Sequence, residues 1–146
     1  MAYTATQLLE MTQSQLDDLF RASPPGPIPT GEATGTAIIA PDTRYSAPIA
    51  QFINHFAWQG KVFDPQTKTL KNRISALGFE AIIAEVYTGP SWLDGKECIV
   101  LDYSKTSIVA HWIRDEIRLV DPGTYLGIVY WDDHRILNFA LEFPTS

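Results

Sequence analysis

From residue 69 to 143 the chain runs in short alternating apolar and polar segments separated by turn residues, the pattern of an antiparallel sheet or closed barrel. Strands are predicted near 58–63, 69–74, 79–87, 97–103, 107–120, 124–131 and 135–143, and a first strand at 36–40 brings the number to eight. Asp94-Gly95 has the residues of a type I′ hairpin turn, in which both positions take positive φ. Asp121-Pro122-Gly123 and Asp132-Asp133-His134 mark two further turns, so the last three strands are expected to form a meander.

Helical spacing is confined to the first 57 residues. Thr12 and Gln15 have the spacing of a capping box, ahead of Leu16, Leu19 and Phe20, so a helix is predicted over 13–22 with its apolar stripe on the sheet. Thr4 and Gln7 make a second such box, and an earlier start or a helix in two pieces both fit. Residues 23–31 carry too many prolines and glycines for regular structure and read as an extended strap. Beyond it, Ser46 caps a predicted helix over 46–57, where Ile49, Phe52, Ile53, Phe56 and Ala57 keep the spacing of one buried face.

At 146 residues and 45% hydrophobic content the chain can bury a core as one domain, divided into an N-terminal helix and strap (1–33) and a barrel with its helix (34–146). A formal charge of −6 argues against nucleic acid and anionic membrane surfaces, which are bound by clustered Lys and Arg. No apolar run approaches the roughly 20 residues of a membrane span, and the N-terminus lacks the pattern of a signal peptide, so a soluble cytoplasmic protein is expected. Cys98, the single cysteine, sits in an apolar strand and reads as a buried hydrophobe.

Period-two alternation puts Val109, His111, Ile113, Asp115, Ile117 and Leu119 on one face of the longest strand. If that apolar face lines the interior, Asp115 and His111 become polar groups among aliphatics, and burial raises the pKa of the one and lowers that of the other. A bulge, or pairing with a neighbouring arginine, would make them structural instead. Arg114, Glu116 and Arg118 occupy the opposite face as an exterior ion-pair ladder or an anion site, the ladder being favoured. On the last strand Leu137, Phe139, Leu141 and Phe143 close the core, with Asn138 and Glu142 on the other face.

No phosphate-binding loop, dinucleotide fingerprint, His-Glu-x-x-His or Gly-x-Ser-x-Gly occurs, and His55, His111 and His134 stand on separate elements. No cofactor and no metal site is therefore expected, and His55 and His134 read as solvated. Ala57-Trp58-Gln59-Gly60-Lys61-Val62-Phe63 resembles the Trp-x-Gly-Lys-x-Phe core of small barrel proteins named for a Gly-x-Trp-x-Gly motif, and is similar to the first-strand Gly-x-Trp of lipocalins. Leu101-Asp102-Tyr103, residues 113–118 and Tyr125-Leu126-Gly127 resemble, in order and spacing, the later strands of the Gly-x-Trp-x-Gly proteins, whose function is unknown. The likeness covers 57–143 and departs at Phe56, where the motif has its first glycine. It implies a calycin-like barrel and, through lipocalins, an apolar cargo, with Trp58 closing one end against Arg114 or Arg118.

The expected fold is mainly β, with α-helices added (α+β): an eight-stranded antiparallel calycin-like barrel with two N-terminal helices. The alternative is an open NTF2-like cone of curved sheet and packed helices. The leading functional expectation is binding of one small apolar molecule, such as a fatty acid, terpenoid or polyketide-like compound, because eight strands enclose room for one ligand. Trp58, Ile113, Ile117, Tyr125 and Phe139 are its candidate contacts. Alternatives are a cofactor-free isomerase, cyclase or hydratase using Asp115 with His111 or Tyr103 as catalytic partner, and a homodimeric interaction module using the aromatic-rich meander.

Overall fold

The computed structural model describes residues 3–38, 58–74, 79–106, 111–132 and 134–144. Eight antiparallel strands, β1 (Gly31–Ile38), β2 (Trp58–Asp64), β3 (Thr69–Ile74), β4 (Phe79–Pro90), β5 (Glu97–Asp102), β6 (Ile113–Asp121), β7 (Thr124–Trp131) and β8 (His134–Glu142), follow one another around a closed barrel. β1 pairs with both β2 and β8, through Ala33↔Lys61 and Thr36↔Ala140, so the sheet has no free edge. The architecture is the barrel and not the open cone. The helix expected over 46–57, with His55, lies outside the described residues.

Two capping boxes set two helices, α1 (Ala5–Leu9) and α2 (Gln13–Ala22): the Thr4 and Thr12 hydroxyls accept from the backbone N–H groups of Gln7 and Gln15, whose side chains accept in return. The N-terminal helix is therefore in two pieces. Leu8, Leu16 and Phe20 are fully buried against the outer face of the barrel, beside Cys98, Val100, Leu126, Ile128 and Ala140. This cover explains the unbroken apolar run of β5, which is buried on both faces, as parallel strands more often are. Cys98 is buried, as expected of a small hydrophobe.

The strap leaves α2 and runs along the barrel end, where Pro24 O accepts from Leu119 N at 3.0 Å and Pro27 O accepts from the Tyr125 hydroxyl at 2.6 Å. Gly26 takes φ +72, and a Cβ there would meet Leu119 Cβ at 2.6 Å, so only glycine lets the strap lie this close. β1 begins at Gly31, five residues before the start expected at 36, because residues 31–34 pair with β2. Between β4 and β5 only Gly95 has positive φ, and Ser91 N donates to Lys96 O, so the connection is a longer loop than a two-residue type I′ turn.

Candidate functional site

Alternation along the strands sends Ala33, Phe63, Leu70, Ala84, Val86, Ile99, Leu101, Ile117, Phe139 and Leu141 into the barrel. Among the described side chains, four polar ones share that interior: Lys61 from β2, Asn72 from β3, Asp115 from β6, and Tyr103 just after β5. All four are at most 5% exposed. Lys61 and Asn72 are directly paired across β2 and β3, and Asp115 stands opposite Leu101 on β5.

The four side chains form one hydrogen-bonded group. Lys61 Nζ donates to Asn72 Oδ1 at 2.8 Å and to the Tyr103 hydroxyl at 2.7 Å, and lies 3.1 Å from Asp115 Oδ2. The Tyr103 hydroxyl also accepts from Asn72 Nδ2 at 3.0 Å and donates to Asp115 Oδ2 at 3.2 Å. The ammonium lies 5.4 Å from the ring centroids of both Tyr103 and Phe139, close enough for cation–π attraction. Phe139 in turn lies over Gly127, where an added Cβ would meet its ring at 2.2 Å; the missing side chain makes room for the ring.

One polar atom is left over. Asp115 Oδ1 is buried and accepts no hydrogen bond among the described residues. Burial raises the Asp115 pKa, an effect opposed by Lys61, and burial lowers the Lys61 pKa, an effect opposed by Asp115. Tyr103 is held well above its ordinary value, by burial first and by the Asp115 charge second. The geometry accommodates the shared proton on either partner. As an ammonium, Lys61 donates three ways; as an amine, it donates to Asn72 and Tyr103 and accepts from Asp115. In neither state does Oδ1 gain a partner.

Of the expected site residues, Asp115 and Tyr103 come together, while His111 does not join them. β6 begins only at Ile113, so His111 sits in a turn with its ring 3.7 Å from that of Trp112, where strand alternation no longer governs its direction. Ile117, Tyr125 and Phe139 are buried in the barrel interior and Ile113 packs against it half-buried. Trp58 opens β2, and its side chain lies outside the described residues. The closure of Trp58 against Arg114 or Arg118 needs correction, since both arginines leave the barrel: Arg114 stacks on Trp92 at 4.4 Å and Arg118 on Phe20 at 4.5 Å. Lys61 and Asn72 went unrecognised. Their signal was period two, because Lys61 shares a face with Phe63 and Asn72 with Leu70.

The Arg114, Glu116, Arg118 row is indeed outside the barrel and ion-paired, but it is not a solvated ladder. Arg118 is 1% exposed beneath α2 and the β4–β5 loop. It donates to both Asp94 carboxylate oxygens at 2.7 and 2.8 Å and to the carbonyls of Phe20, Lys96 and Glu97. Glu116 accepts from the Ser91 hydroxyl, Trp92 N and Arg114.

Among the described residues no group of three or more His, Cys, Asp or Glu is placed to hold a metal, and no helix is long and apolar enough to cross a membrane. No family model matches the chain, and no curated protein matches it. A protein from Thermomonospora curvata, known by its crystal structure, superposes with a TM-score of 0.69 over 93% of this chain and 90% of its own, at 18% identity. The two share a fold.

Proposed function

We propose that the barrel takes up one small molecule with an apolar body and a single polar group, the polar group being read by the Lys61, Asn72, Tyr103 and Asp115 cluster. The observation that carries this reading is the orphan Asp115 Oδ1. A buried acceptor left without a donor costs about 1–3 kcal/mol, and a ligand hydroxyl or N–H would recover it. The aliphatic and aromatic wall suits the fatty acid, terpenoid or polyketide-like class, since such pockets are mostly apolar with few placed polar groups.

Native mass spectrometry of the purified protein, followed by solvent extraction, tests the proposal. A stoichiometric small-molecule adduct, retained by the wild type and weakened in Asp115→Asn, is the expected result. A ligand-free mass together with no uptake of the apolar fluorophore N-phenyl-1-naphthylamine would overturn it.

A second reading rests on the Tyr103 hydroxyl, which touches Lys61, Asn72 and Asp115 at once. Such a chain moves a proton, so a cofactor-free isomerase, cyclase or hydratase with Asp115 as general acid and base is the alternative activity. A homodimer is a separate proposal, motivated by Trp112 and Trp131, which are 51% and 40% exposed with rings 6.1 Å apart; sedimentation of the Trp131→Ala protein reads it.

A further inference from the structure

The cluster holds a nucleophile that binding alone does not require. To pin a polar group in an apolar barrel, a hydroxyl or an amide is enough, whereas a lysine brings a long flexible stem and a strongly hydrated charge whose burial is costly. This chain has five lysines, and four of them, Lys68, Lys71, Lys96 and Lys105, are exposed. Lys61 alone is buried, with Asp115 Oδ2 at 3.1 Å and the centroids of the Tyr103 and Phe139 rings each at 5.4 Å.

We infer that Lys61 is a covalent attachment point, its ε-amine condensing with an aldehyde or ketone group of the small molecule the barrel holds, while Asp115 moves the protons. The inference rests on the binding reading above and names the ligand class: a largely apolar carbonyl compound, which gains the N–H donor that the Asp115 carboxylate lacks once it has condensed to an iminium. The environment favours the reactive form, because burial disfavours the ammonium and the neighbouring carboxylate can take its proton. The step starts from neutral Lys61 and protonated Asp115. The amine nitrogen attacks the carbonyl carbon, one amine proton passes to the oxygen, and the resulting hydroxyl leaves as water with the proton of Asp115. The products are a protonated imine, the Asp115 carboxylate and one water. The carboxylate is then the counter-ion of the iminium nitrogen.

The test uses decanal and sodium cyanoborohydride with the intact protein, read by whole-protein mass and peptide mapping. Displacement of N-phenyl-1-naphthylamine by decanol, which has no carbonyl, reads binding separately. The expected result is one reduced adduct per chain on the peptide carrying Lys61, absent from Lys61→Arg, and formed on the order of 10²-fold more slowly in Asp115→Asn. Adducts spread over the exposed lysines, with decanol still displacing the fluorophore, would overturn covalent attachment and leave the binding reading intact. Failure of decanol and decanal alike to displace the fluorophore would overturn both. Should Lys61→Arg fail to fold, the peptide map of the wild type decides alone.

Discussion

Strand β6 carries two buried ionic arrangements on its two faces, and they are finished to different degrees. On the outer face all five N–H groups of Arg118 have acceptors, and both oxygens of Glu116 have donors. On the inner face, one residue before Glu116, Asp115 keeps an oxygen that nothing in the described protein satisfies. A completed network makes structure: Arg118 ties α2, the β4–β5 loop and β6 into one clasp. An incomplete network in an apolar interior is one that a ligand's donor could complete. The alternation that separates Asp115 from Glu116 thus separates a site from a fastening.

The comparison predicts that removing charge has opposite effects on the two faces. Arg118→Met should have the largest effect, a loss of about 3–5 kcal/mol in urea unfolding, because it leaves the largely buried Asp94 carboxylate without its ion-pair partner. Arg118→Lys should recover little of it, since an ammonium cannot reproduce the bidentate fork on Asp94. A loss under about 1 kcal/mol would place the clasp with ordinary surface pairs and dissolve the contrast.

Inside the barrel, replacing both charges together, Lys61→Met with Asp115→Leu, should leave stability unchanged or raise it by about 1–4 kcal/mol, as seen when buried pairs give way to apolar packing. The hydrogen bond between Asn72 and Tyr103 involves neither of the replaced residues. The same double variant should lose its small-molecule adduct in native mass spectrometry. Destabilisation comparable to that of Arg118→Met would make the inner cluster a fastening too, and the functional reading would fall.

Much of this was legible in the chain. Turn residues and alternation placed β3 and β7 at 69–74 and 124–131, where the structure has them, and the same alternation turned Asp115 inward. What escaped has physical reasons. Lys61 and Asn72 lie on short strands where Val62 and Lys71 blur the apolar phase, and a lysine next to glycine reads as solvated. His111 was carried onto the Asp115 face by extending a strand through a turn. Alternation puts Arg118 outside the barrel, but its burial there is imposed by α2, about 100 residues earlier, which local pattern does not reveal.

The smallest and most discriminating effect is on the pH dependence of stability, where the two faces should bend in opposite directions. Asp94 is held at about 2 instead of 3.8, chiefly by its hydrogen bonds from Arg118, so its contribution is fully present above its ordinary value and is lost as pH falls through about 2. Asp115 is shifted upward by burial, so the folded protein holds that proton more tightly than the unfolded chain. Its contribution is present below 3.8 and is lost as pH rises through the raised value. Lys61, shifted downward from 10.5, regains its own contribution only at the alkaline end. Thermal unfolding of the wild type, Asp94→Asn and Asp115→Asn between pH 2 and 7 separates the terms. Asp94→Asn should lose the acid-side fall below pH 4, while the stability of Asp115→Asn relative to wild type should climb as pH rises above 4. Parallel curves for wild type and Asp115→Asn would mean that Lys61 or solvent offsets the burial of Asp115 in full. A carboxylate already compensated in this way has little need of a ligand, so that one result would undercut the physical basis for a site inside the barrel while leaving the clasp outside it untouched.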